Sequence, residues 1–248
     1  MRPLDAMSLV RQWLGVPRRP ELRSGRVALA VPRPAHYEAW SLLRETSRQS
    51  LVPFEPEWQP DELSRPAWRR RLARYRSERD RGTGEAFLIL RASDRALVGG
   101  ITLSNLRRGV TQTASVGYWI GVPYLRQGFA SEAVALLLGY AFEDLGLNRI
   151  EAACMPSNAA SIAVLERAGF RHEGVARGYL RINGVFEDHL LYARLCGDAP
   201  HRVFSQAGYR ATAAGMAGNE DARRPAVDAR AGEIEAGSAR ETSEGRAA

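Results

Sequence analysis

"YLRQGFASEA", Tyr124–Ala133, decides how the chain is read. Gly128 stands between an arginine–glutamine pair and a phenylalanine, just where an apolar helical period begins. Glycine lowers helix stability. Its presence there means a tight turn, a close ligand, or a plain loop. The flanks narrow the choice. "TASVGYWIGV" (113–122) reads as a strand, and "FASEAVALLLGYAFEDLG" (129–146) has helical periodicity and a glycine stop. A strand–glycine loop–helix unit presents free backbone N–H groups where the helix dipole favours anions. Gly128, Ala130 and Ser131 are small enough for a phosphate to approach the backbone, and Arg126 adds charge. The stretch suits a pyrophosphate. It is not a Walker loop, which needs a lysine, and it lacks the three-glycine dinucleotide fingerprint.

Working outward, "GRVALAVPRP" reads as a short strand and "AHYEAWSLLRETSRQ" as a helix with Tyr37, Trp40 and Leu43 on one face. "SLVPFEPEWQP" carries three prolines and reads as loop. "SRPAWRRRLARYRSERD" reads as a helix capped by Ser64, with Pro66 in its first turn. The strands "EAFLILR" (85–91) and "ALVGGITLSNL" (96–106) precede the opening unit. After it come a buried strand at 148–155, a helix at 157–170 with Ser157 as its cap, and two strands joined at Asn183-Gly184, a strong hairpin signal. This order predicts an α+β (mixed α/β) fold, helices on a largely antiparallel sheet. Residues 1–24 read as a loosely attached arm, 25–198 as the folded domain, and 199–248 as a disordered tail poor in large apolar residues.

All 35 basic residues of the 248 are arginine, and the formal charge is +7. From Arg65 to Arg81, eight arginines face Glu78 and Asp80, a local net of +6. That stretch is either a solvated helix face or a contact for an acidic partner such as RNA or a ribosome. No run is long and apolar enough to span a membrane. The N-terminus lacks the pattern of a secretory signal, and Cys154 and Cys196 form neither a disulfide framework nor a metal spacing. These features predict a cytoplasmic protein without a metal, its cysteines serving as small buried hydrophobes. The four histidines give no zinc pattern.

"GYWIGVPYLRQGFASEA", "LGLNRIEAACMPSNAASIAVLERAGF" and "EGVARGYLRINGVFEDHLLYARL" together resemble the GNAT acetyltransferases. Within them the resemblance is to the RimJ-type ribosomal-protein-alanine N-acetyltransferases, and then to the serine-specific branch. It covers roughly residues 24–198. The family's phosphate loop, Gln/Arg-x-x-Gly-x-Gly/Ala, falls on Leu125–Ala130, with Leu125 a departure at its first position.

The resemblance implies that Arg126, Gln127, Gly128, Phe129, Ala130 and Ser131 cradle the pyrophosphate of acetyl-CoA. It implies that the backbone of Tyr118, Trp119, Ile120 and Val122, splayed from the next strand at a bulge, pairs with the pantetheine arm. The Ile120 amide then polarises the thioester carbonyl. Asn158 borders the cofactor, or simply caps its helix. The tyrosine that many members carry is replaced by Leu165, and Ser161 supplies a hydroxyl to the leaving thiolate, or else is only a small packing residue.

The serine-specific branch has a glutamate that falls here on Leu180, so a general base comes from elsewhere or is unnecessary. Glu132, Glu173, Glu187, Asp188 and Tyr179 are the other candidates for base or substrate contact, each also readable as a surface residue. With pKa values of about 8 and about 10.4, roughly a quarter of α-amines but about one lysine in a thousand are neutral at a pH of about 7.5. That favours a protein N-terminus as acceptor, including that of a ribosomal protein starting with Ala or Ser. The alternatives are a small-molecule amine such as an antibiotic or polyamine, and a non-catalytic binder of acyl-CoA or RNA.

Overall fold

A computed structural model describes residues 21–198. Eight strands form one sheet in the order β1-β2-β3-β4-β5-β6-β8-β7. They are β1 (Leu22–Ser24), β2 (Val27–Ala30), β3 (Glu85–Arg91), β4 (Leu97–Arg107), β5 (Thr113–Ile120), β6 (Arg149–Cys154), β7 (Arg171–Ile182) and β8 (Val185–Leu195). Every neighbouring pair is antiparallel except β5 and β6. The helices are α1 (Tyr37–Thr46), the one-turn α2 (Arg48–Leu51), α3 (Arg65–Asp80), α4 (Phe129–Gly139) and α5 (Ala159–Arg167). The α+β expectation holds.

The sheet buries both faces. Along β3, Phe87 and Ile89 point into one cluster and Leu88 and Leu90 into the other, as strand alternation requires. The first cluster joins the sheet to α4 and α5 through Val134, Leu137, Ile150 and Leu165. The second joins it to α1 and α3, whose Trp40 and Trp68 stack with ring centroids 4.7 Å apart. The helix caps follow the sequence in part. Ser64 Oγ accepts from Ala67 N at 3.2 Å. At α5 the cap is Asn158, whose Oδ1 accepts from Ser161 N at 3.0 Å, and not Ser157. Asn183 and Gly184 both hold positive φ, 43° and 87°, as the tight β7–β8 hairpin requires.

Five readings need correction. Leu22–Ser24 belong to the sheet, although the sequence places them in a loose arm. Three residues beside a Gly25–Arg26 turn are too few to show an alternation. The proline-rich span contains α2 and a 3₁₀ turn at Val52–Phe54, since Pro53 sits where a helical turn tolerates it. β5 ends at Ile120, and Val122–Tyr124 form a 3₁₀ turn ahead of the phosphate-loop candidate. The register shift against β5 lies in β4, between Ser104 and Arg107, and not in the stretch from Tyr118 to Val122. Cys154 is buried, but Cys196 is exposed. The expectations for the rest of the arm and for the tail at 199–248 lie outside the described residues.

The eight arginines of 65–81 are largely engaged within the fold. Arg65, Arg70, Arg71, Arg74 and Arg79 pair with Glu38, Asp61, Glu62, Glu78 and Glu85. Arg44 of α1 is the most deeply buried of the paired arginines among the described residues. It is 4% exposed, forks onto Glu55 (Nη1 to Oε1 at 3.1 Å, Nη2 to Oε2 at 2.5 Å), and lies 4.5 Å from the ring centroid of Trp58 and 5.2 Å from that of Trp119. Arg44→Ala leaves the Glu55 carboxylate part-buried without its countercharge. The expected destabilisation is about 3 kcal/mol, read from urea unfolding.

Candidate active site

β5 and β6 pair in parallel over three residues only, Thr113–Ser115 against Arg149–Glu151. Beyond that point the strands part. Gly121 N–H donates to the Val98 carbonyl at 2.9 Å, so the antiparallel alternation assigns Gly117, Trp119 and Gly121 to β4. The backbone groups of Tyr118 and Ile120 therefore face the gap. A cavity of about 980 Å³ fills it, walled by β5, the N-terminal turns of α4 and α5, the end of β6 and the β7–β8 hairpin.

The loop into α4 has a geometry that suits an anion. Arg126 (φ 59°) and Gly128 (φ 83°) are both left-handed, which turns the chain sharply into the helix. Gly128 occupies the N-cap and provides no side-chain cap, so the first-turn N–H groups of α4 stay open. A Cβ at Gly128 would stand 3.0 Å from Arg26 Nη2. The Arg26 guanidinium itself lies 5.4 Å from the Phe129 ring centroid and pairs with Glu132. Ser131 Oγ, buried on the cavity wall, has no hydrogen-bond partner among the described residues. An unpaired hydroxyl beside open helix N–H groups fits a phosphate-bearing molecule.

At the other end of the gap three polar side chains converge. Tyr118 OH and Ser161 Oγ are 2.9 Å apart, and Tyr118 OH also reaches the Ser161 carbonyl at 3.3 Å. Cys154 lines the same space. Burial pushes the Tyr118 phenol up from its ordinary value, the Ser161 hydrogen bond opposing only in part. Burial likewise raises the Cys154 thiol. Both groups stay protonated at neutral pH, so this corner holds hydroxyl and thiol donors and no anion. Leu165, where many family members carry a tyrosine, is buried in the core. Sequence reasoning assigned Tyr118 a backbone role only, because nothing in the linear order brings β5 against α5.

The remaining expected residues divide. Tyr118, Trp119, Ile120, Arg126, Gly128, Phe129, Ala130, Ser131, Asn158 and Ser161 all line the cavity. Val122 and Gln127 do not. Val122 N–H donates to Ser47 Oγ at 2.9 Å, and the Gln127 amide donates to the Pro123 carbonyl at 2.8 Å, closing the loop from outside. None of the proposed bases lines the cavity. Glu132 holds Arg26, Glu173 is held below the usual carboxylate range by Arg149, and Asp188 accepts from Gly178 N at 2.7 Å. Glu187 and Tyr179 lie on the hairpin away from the wall, while Leu180 is on it. His189, buried and on the wall, was not singled out from the sequence. The run "EDHLL" gave no sign of which way its ring points.

Residues 26–171 match the family model described as "Acetyltransferase (GNAT) domain". The chain is 43% identical over 130 residues to a Bacillus subtilis protein described as "Probable N-acetyltransferase YjcK", covering 52% of this chain and 72% of that one. It is 30% identical over 176 residues to the [Ribosomal protein uS5]-alanine N-acetyltransferase of Escherichia coli, covering 70% and 91%. Among solved structures, Mycobacterium smegmatis RimJ in complex with CoA-disulfide superposes with a TM-score of 0.67 at 34% identity, covering 71% of this chain and 86% of that one.

The protonated state of Tyr118 is open to measurement. In an alkaline titration followed by phenolate absorbance, Tyr118→Phe is expected to leave unchanged the signal that develops around the ordinary tyrosine pKa of about 10. Loss of one tyrosine's amplitude there would show an unshifted phenol.

Proposed function

Because the chain belongs to the GNAT acetyltransferases, we propose that it transfers an acetyl group from acetyl-CoA to the α-amine of a protein N-terminus, that of a ribosomal protein beginning with Ala or Ser. The observation that carries this reading is the company kept in one opening. An anion cradle, the inward-facing Ile120 backbone and the Ser161–Tyr118 hydroxyl pair all border the gap between β5 and β6. Kinship with the uS5-alanine N-acetyltransferase over most of its length supports the acceptor class.

In this reading the first-turn N–H groups of α4, Arg126 and the Ser131 hydroxyl hold the pyrophosphate. The free edge of β5 takes the pantetheine arm as an added strand would. Acetyl-CoA supplies the activated acyl group. The Ile120 N–H points at the carbonyl oxygen on which negative charge develops. Tyr118 has a single hydroxyl hydrogen. When it donates this to Ser161 Oγ, the serine hydrogen is free to turn into the cavity toward the departing sulfur. Transfer is direct, so no enzyme nucleophile is required. Cys154, kept as a thiol by burial, packs the floor.

CoA release measured with a panel of acceptors tests the reading. Peptides beginning with Ala or Ser are expected to turn over, while an N-blocked lysine peptide, spermidine and an aminoglycoside are not. Turnover with the small amines alone would remove the protein-acceptor assignment. Ser161→Ala is expected to lower kcat about 100-fold with little change in KM for acetyl-CoA. Gly128→Val, which puts a β-branched residue at φ 83°, is expected to act on KM for acetyl-CoA instead.

A further inference from the structure

We propose that His189 is the general base of the reaction, taking the proton from the incoming ammonium at Nε2. The inference rests on the amine-acetylating reading above.

The argument begins with position. β6 and β8 stay paired up to Cys154 against Leu190, so His189 lies one residue further, where β5 and β6 have already separated. Strand alternation puts its ring on the sheet face opposite Cys154 and Leu190. Cys154 belongs to the cluster shared with α4 and α5. His189 therefore approaches the gap from the α1–α2 side, where Leu51, Phe54 and Glu55 complete the cavity wall. The pyrophosphate cradle stands on the α4 side. The acceptor and the acetyl donor thus reach the gap from opposite faces, and His189 stands on the acceptor's face.

The ring's chemistry follows from one contact. His189 Nδ1 lies 2.9 Å from the Glu187 carbonyl oxygen. A carbonyl only accepts, so Nδ1 carries the hydrogen and the neutral ring leaves Nε2 with a bare lone pair. No protein partner for Nε2 is found among the described residues. The ring is 3% exposed and its edge is fixed by Tyr179, with centroids 5.9 Å apart.

The surrounding groups offer no competing base. Glu55 gives one carboxylate oxygen to Arg44 Nη1, and the other to Arg44 Nη2 and Trp58 Nε1. Arg181 donates from Nε to the Gly184 carbonyl. Asp188 points the other way, to Gly178 N, and Glu187 is not on the cavity wall. Tyr118 and Cys154 keep their protons on the far face. Leu180, on the wall, has nothing to ionise.

The proton balance closes. The ammonium gives one proton to Nε2, directly or through one water, and the freed nitrogen attacks the acetyl carbonyl. As the C–N bond forms and the C–S bond breaks, the nitrogen gives its second proton to the Ser161–Tyr118 pair, replacing the one that the pair passes on. The thiolate gains one through the Ser161–Tyr118 pair. The imidazolium returns its proton to solvent, so the net products are amide, thiol and one released proton.

The test is the pH dependence of kcat/KM for the full chain and for His189→Asn, whose side-chain amide keeps a donor toward the Glu187 carbonyl. At pH 7 the variant is expected to lose about 10²- to 10³-fold. Above a pH of about 9, where an α-amine of pKa about 8 is neutral unaided, the gap should close to a few-fold. A purely structural role predicts the same loss at every pH. That result, or no loss at all, would overturn the inference. Should the variant not fold, nitrogen-15 spectra of the wild-type histidine rings give the answer. A bare Nε2 on His189 that shifts on adding the acceptor peptide supports the role, and hydrogen on Nε2 refutes it. If the wild type fails on peptides but acetylates a small amine, the acceptor assignment falls and the same comparison is run with that amine. If no amine is acetylated, both ideas fall.

Discussion

The parting of β5 from β6 after three paired residues is the constraint on which the rest depends. A paired parallel ladder would have consumed the N–H and C=O groups of Tyr118 and Ile120. An unpaired buried backbone group costs about 1–3 kcal/mol, so the gap holds either water or a partner with strand-like hydrogen bonding. The fold supports the opening from both faces. The apolar cluster under α4 and α5 anchors one side, and the Trp40–Trp68 stack with the Arg44–Glu55 pair anchors the other.

Charge is arranged to the same end. The chain is strongly basic, yet at least five arginines of the 65–81 stretch are bound to carboxylates, four of them on neighbouring segments. The four outward pairs fasten α3 to α1, to the sheet and to the loop before it. In the proposed reading the attraction for a pyrophosphate comes instead from backbone geometry at Gly128, reinforced by Arg126. At the opposite end of the gap burial does the selecting. It keeps Tyr118 and Cys154 neutral, so this corner holds donors and no negative charge from either.

Much of this was legible in the sequence. Gly128 before an apolar helix gave the uncapped helix start, and Asn183-Gly184 gave the hairpin. The long strands and helices were plain from periodicity. What stayed hidden depended on contacts between distant segments. Leu22–Ser24 becomes a strand only because Val27–Ala30 lies beside it. Ser161 meets Tyr118 across 43 positions, and nothing local to either residue announces it. Gln127 reads as a ligand in the motif but is spent on Pro123. His189 needed its strand register and its carbonyl partner before its free nitrogen could be recognised.

Residue-resolved hydrogen exchange along β5 tests the central claim most directly. In the free protein, the amides of Gly117, Trp119 and Gly121 should be protected and those of Tyr118 and Ile120 should exchange fast. A non-hydrolysable acetyl-CoA analogue should then slow Tyr118, Ile120 and the first turn of α4 together. Uniform protection along β5 without ligand would mean that the gap is closed. Protection by the analogue at some other part of the sheet would contradict the assignment of this opening as the acetyl-transfer site.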